Sequence, residues 1–174
     1  MRRPIQQVVL AVSLVLSVAL ASVPVVVADQ HGTPTGGTPA ATAAVEREVL
    51  VESEPATAPG ELFQLVRYTI PAHRTLPAHT HPGIQMNTIE AGTLTYYVVA
   101  AGEILVTRAD GEEETFGPGE EAAFAVGDSF VEPAGIVHYG ANLTSEPVRI
   151  LTASLLAANE PPSTLAGLAT PATD

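Results

Sequence analysis

His79-Thr80-His81, Gln85 and the distant His138 are the residues of this 174-residue chain whose types and spacing best suit chemistry. Histidine occurs only five times, and one copy, His31, lies in a Thr-, Pro- and Gly-rich stretch near the start of the chain. Imidazoles at i and i+2 of an extended segment project to the same side, because strand side chains alternate faces. Two neutral nitrogen donors on one face, a third from a distant strand and a nearby oxygen donor suit a first-row divalent ion. A lone histidine is usually just a satisfied polar residue; three in this arrangement favour a shared ion. Pro82-Gly83 interrupts the first segment, so parity alone does not place Gln85 on the inner side, and Asn87 and Glu90 are alternative oxygen donors. Three neutral imidazoles with a neutral amide would leave a divalent ion its full charge, whereas a carboxylate would lower it.

The spacing resembles the two motifs of the cupin superfamily. His79-x-His81, three residues, Gln85, six residues and Gly92 follow the first motif, with Gln85 where the family has a glutamate and without its opening glycine. Gly127, Pro133, Gly135, His138 and Asn142 meet every position of the second. The resemblance covers about residues 46–157 and implies a jelly-roll β-barrel. It also implies a metal held by His79, His81 and His138 with Gln85, and suggests Fe, Mn, Zn, Ni or Cu as that metal. Superfamily membership would not by itself choose a reaction.

The elements that must position these side chains are short extended runs between Gly and Pro, with no apolar period of helical length. Expected strands are 46–52, 62–70, 84–90, 93–99, 103–108, 121–126, 129–131, 136–143 and 148–156. Asp110-Gly111 between two such runs signals a two-residue hairpin. So many strands in about 110 residues argue for an all-β, closed or double-sheet architecture, which agrees with the jelly roll of the resemblance. On the strand over 136–143, His138 shares a face with Ile136, Gly140 and Asn142, and Gly140 is expected to leave space beside the imidazole. His73 and Arg74 read as exposed loop residues, and Tyr96, Tyr97 and Tyr139 as packing residues. Asn142-Leu143-Thr144 matches a glycosylation sequon only by coincidence with the second motif.

Around this single domain (46–158) the ends differ in character. Arg2-Arg3, the apolar run Val8–Ala21 and two small-residue cleavage sites read as a signal peptide over 1–28. The alternative is an N-terminal membrane anchor, since Val8–Ala28 holds no charge. Residues 29–45 read as a flexible linker and 159–174 as a disordered tail without chemistry. Loss of Arg2 and Arg3 on export would leave 5 arginines against 19 acids, a net charge of −14. That balance argues against nucleic acid and anionic membranes as partners. The absence of cysteine removes disulfides and thiolate ligands. The expectation is an exported cell-envelope or secreted protein with a small-molecule partner, with a homodimer left open. The leading function is a metal-dependent enzyme of oxygenase-like type, with isomerase or decarboxylase chemistry by family analogy. A non-catalytic module that binds a metal or small ligand is the alternative.

Overall fold

Residues 44–167 are described by a computed structural model. The expected signal peptide, most of the expected linker and the last residues of the expected tail lie outside them. The described residues hold no helix. Their strands are β1 (Glu46–Ser53), β2 (Glu61–Ile70), β3 (Arg74–Thr75), β4 (His79–Thr80), β5 (Gly83–Ala91), β6 (Leu94–Ala100), β7 (Ile104–Thr107), β8 (Glu113–Phe116), β9 (Glu121–Phe124), β10 (Ser129–Glu132), β11 (Val137–Asn142), β12 (Val148–Ala157) and β13 (Thr164–Leu165). They form a seven-stranded sheet in the order β1-β2-β12-β5-β10-β7-β8 and a six-stranded sheet that includes β13-β4-β11-β6-β9, with β3 on β11. Every pairing is antiparallel. This is the all-β, two-sheet architecture that the resemblance implies.

Alternation drives the layering. Ile70 of β2, Ile89 of β5, Leu94, Tyr96 and Val98 of β6 and Val148 and Ile150 of β12 lie on the buried parity of their strands and meet in one core. Phe124, Phe130 and Tyr96 form an aromatic cluster with ring centroids 4.7–5.5 Å apart. A hairpin at Asp110-Gly111 joins β7 and β8, but its loop holds three residues, Ala109, Asp110 and Gly111, where two were expected, since Thr107 pairs with Glu113. Gly111 has φ 91°, and Arg108 N donates to Glu112 O at 2.7 Å. The short strands β3 and β4 are not legible in the sequence because Pro71, Pro77 and Pro82 cut that region into pieces too brief to show a period.

Both expected domain boundaries need correction. Val45, assigned to the linker, is partly buried and packs against the core. Residues 159–167, assigned to the disordered tail, run back along the barrel. β13 pairs with β4, Leu165 opposite His79. A segment rich in Pro, Ser and Thr can still be held where its backbone finds a strand edge.

Asn142, the last residue of the second motif, is a structural tie. It is fully buried; its amide donates to the carbonyls of Ile70, Pro71 and Glu146 at 2.8–3.1 Å, and its Oδ1 accepts from Thr144 N and Oγ1. Each such buried bond is worth about 1 kcal/mol net, and orphaned carbonyls cost more. Asn142→Ala is therefore expected to lower unfolding free energy by roughly 3 kcal/mol in a denaturant titration. A loss below about 1 kcal/mol would show that these bonds are readily replaced by water.

Candidate metal centre

The chain changes sheet between His79 and Gln85: β4 belongs to the six-stranded sheet and β5 to the seven-stranded one. His79 lies opposite His138 in the β4–β11 pairing. His81 follows β4, and its backbone carbonyl accepts from Gly135 N at 3.0 Å. Gly135 has φ 76°, which a side chain would disfavour. The turn of the second motif thus grips the backbone of the first. The three imidazoles meet at this seam, with ring centroids 4.4–5.1 Å apart and ligand nitrogens within 4.8 Å of one another. The expectation that His79, His81 and His138 converge is met.

Each ring is held in the same tautomer. His79 Nδ1 donates to Pro77 O at 2.8 Å, His81 Nδ1 to Pro162 O at 2.6 Å and His138 Nδ1 to Ile136 O at 3.2 Å. A carbonyl only accepts, so each Nδ1 carries the hydrogen and each Nε2 of the neutral ring keeps its lone pair. The Pro162 contact comes from the segment that the sequence assigned to a tail without chemistry.

Glu132 was missed in the sequence. Its carboxylate lies 3.3 Å from His138 Nε2 and 3.8 Å from His81 Nε2, and its side chain is buried. On β10 it sits directly opposite Gln85 of β5. The expected strand stopped at Val131; one more residue of alternation puts Glu132 on the inner face with buried Phe130. The carboxylate that position 85 lacks stands beside it, so a divalent ion here would meet one negative charge and not a wholly neutral donor set. Gln85 is buried and lines the same cavity. Asn87 also faces inward, but its Oδ1 accepts from Thr152 Oγ1 at 2.7 Å. Glu90 is bound to Arg67 at 2.8 Å, part-buried and away from the cavity lining. His73 is exposed, as expected, and Arg74 is half-buried, its Nε lacking a hydrogen-bond partner. Gly140 does not leave space, because a Cβ there would stand 3.0 Å from Leu94 Cδ1.

Three Nε2 lone pairs and a carboxylate therefore face one another in a buried space. Acceptors brought together without donors repel and forgo their water. A cation resolves both costs, and imidazole with carboxylate is a donor set suited to first-row divalent ions. Tyr96 stacks on His138, centroids 5.2 Å apart and planes 12° from parallel. Burial first, then the Glu132 charge, push its phenol pKa far up, so it stays a neutral donor.

No protein-family model matches the chain, and no curated protein matches it. Among solved structures it is similar to a protein with a double-stranded beta-helix domain from Klebsiella pneumoniae, at 19% identity over 73% of this chain and 88% of that one, TM-score 0.42. It is also similar to a cupin superfamily protein from Desulfitobacterium hafniense, at 13% identity over 68% and 84%, TM-score 0.40. An oxalate oxidase solved with the substrate analogue glycolate is similar at 17% identity and TM-score 0.45, over 71% of this chain and 56% of that one.

The environment of the rings sets a pH dependence for the metal-free protein. Burial, with the neighbouring His138 adding to it, lowers the His79 pKa to about 4, and burial lowers that of His81 against the pull of Glu132. The unfolded chain takes up these protons near pH ~6.5, while the folded one resists until lower pH. Stability is thus fully present above about 6.5 and is lost as pH falls from there toward about 4. In metal-free protein, replacing His79 by Gln should flatten the fall in melting temperature over this window. An identical fall in both proteins would mean that the ring is as easily protonated folded as unfolded.

Proposed function

We propose that this protein is an exported metal-binding protein of cupin type, holding one divalent transition metal through His79, His81 and His138 with Glu132, and acting on a small organic molecule bound beside it. The convergence of three ring nitrogens and a carboxylate carries this reading. Gln85 takes part as the neutral neighbour of Glu132, close enough in register to serve as an alternative oxygen donor. With three neutral rings and one carboxylate, a divalent ion would keep a single positive charge. Such an ion supplies Lewis acidity or redox capacity when bound. The chain's own residues do the rest: carbonyls hold the ring orientations, the barrel excludes water, and Tyr96 offers a phenol hydrogen near Glu132. Oxygenase-like chemistry is the leading reaction class, supported by the donor set and by the cavity beside it. Export is supported by the character of residues 1–28.

Purified protein reconstituted separately with excess Mn, Fe, Zn, Ni and Cu should retain close to one ion per chain for at least one of them by elemental analysis. His138→Ala should abolish retention and Glu132→Gln should weaken it, because the carboxylate supplies the only negative charge. Gln85→Glu should instead lower the stability of the metal-free protein, by placing two buried carboxylates side by side, and metal should restore it. Occupancy below about 0.1 per chain with every ion, or Glu132→Gln binding as tightly as the parent, would overturn the assignment.

The Pro162 bond to His81 gives a separate test. A chain ending at Ala158 should still fold by circular dichroism but bind metal about 10- to 100-fold more weakly in a chelator competition, the usual effect of removing a group that orients a ligand. Unchanged affinity would remove the C-terminal segment from the site.

A further inference from the structure

The space beside the histidines is a cavity of about 220 Å³. Besides the rings its wall carries the apolar side chains of Val45, Ile70, Leu76, Leu94 and Ile150. Among the described residues no Lys or Arg lines it, and Glu132 is its one carboxylate. Two buried donors in its wall have no partner, Asn87 Nδ2 and the Tyr96 hydroxyl, in residues 5% and 2% exposed. The Tyr96 hydroxyl has the Glu132 carboxylate as its neighbour. Asn87 Oδ1 is already engaged, because buried Thr152, directly opposite on β12, donates to it at 2.7 Å, while Asn87 Nδ2 has no partner. The amide hydrogens are left over. Buried polar groups in folded proteins are almost always satisfied, by water or ligand where protein does not serve.

We infer that Asn87 is the specificity-determining donor of this cavity, and that its ligand is a neutral small molecule with an apolar body and a carbonyl oxygen. The amide hydrogens call for an acceptor, and the aliphatic wall calls for hydrocarbon. A dianion would lose its hydration beside Glu132 with no arginine or lysine to replace it. The inference deepens the function proposed above and rests on it only for the additional affinity that a metal would give.

The test is a titration of ¹⁵N-labelled full chain, metal-free and Zn-loaded, followed through the Asn87 side-chain amide signals. Cyclohexanone is the probe, methylenecyclohexane its counterpart of the same shape without an acceptor, and oxalate the dianion. Cyclohexanone should shift the Asn87 amide and bind about tenfold more tightly than methylenecyclohexane, the size of one buried hydrogen bond. Oxalate should leave that signal unmoved in the metal-free chain. Asn87→Asp keeps the acceptor for Thr152 but removes the donor, so it should erase the tenfold preference. Should that variant fail to fold, the parent titration stands alone. Equal affinity for cyclohexanone and methylenecyclohexane, a preference that survives Asn87→Asp, or an oxalate-induced shift in the metal-free chain would overturn the inference. A cyclohexanone preference in a chain that retains no metal upholds it while removing the metal reading. Metal retention without the preference overturns it and leaves the metal reading in place.

Discussion

The structure turns on one electrostatic constraint: three imidazole lone pairs and a carboxylate are pressed together where water is scarce. Nothing in that cluster donates to anything else in it. Such an arrangement persists only if each ring is prevented from turning its N–H inward, and backbone carbonyls from three separate segments do this. Pro77 precedes β4, Ile136 precedes β11 and Pro162 precedes β13. The seam at which the chain passes from one sheet to the other is where such segments can meet, because regular ladders would have consumed their carbonyls.

Residues in and beside the second motif hold the backbone without touching the cluster. Gly135 lends its N–H to the His81 carbonyl, and Asn142 ties the end of β11 to the segments around Ile70 and Glu146. Asp128, beside Gly127, accepts from Ala125 N, Ala109 N and Arg108 at 2.9–3.0 Å. Burial raises its pKa, but these bonds outweigh it and hold the carboxyl below the usual range. Of the five motif positions only His138 faces the cluster with a side chain. A spacing pattern that reads as a metal motif is thus mainly a folding pattern that delivers one ring.

The same division explains what the sequence could convey. The longer strands are legible because burial alternates along them, as at Gln85, Asn87 and Ile89 of β5 and Val148, Ile150 and Thr152 of β12, and the three histidines because imidazole is rare and their spacing is regular. Glu132 is not, although the signal is present in its shared parity with Phe130. Pro133 directly after it reads as the start of a turn, which ends the alternation one residue too early. The C-terminal contribution was invisible for a deeper reason. What Pro162 supplies is a backbone carbonyl, which every residue has, so composition says nothing about where it will be needed.

Gln85 and Glu132 are best understood as one unit. They face each other across β5 and β10, both buried, and their combined charge is a single negative. A carboxylate at both positions would force two like charges into a low-dielectric space, and an amide at both would leave an ion with no negative partner. One acid from the pair satisfies both limits, whichever strand carries it. Moving it to β10 puts it beside Tyr96 and leaves the β5 side of the cavity to neutral amides, Gln85 and Asn87. That wall of the cavity is then uncharged and rich in hydrogen-bonding capacity. On the proposed reading, a site so arranged would select among small molecules by shape and by the position of an oxygen atom, with net charge counting mainly as a reason for exclusion.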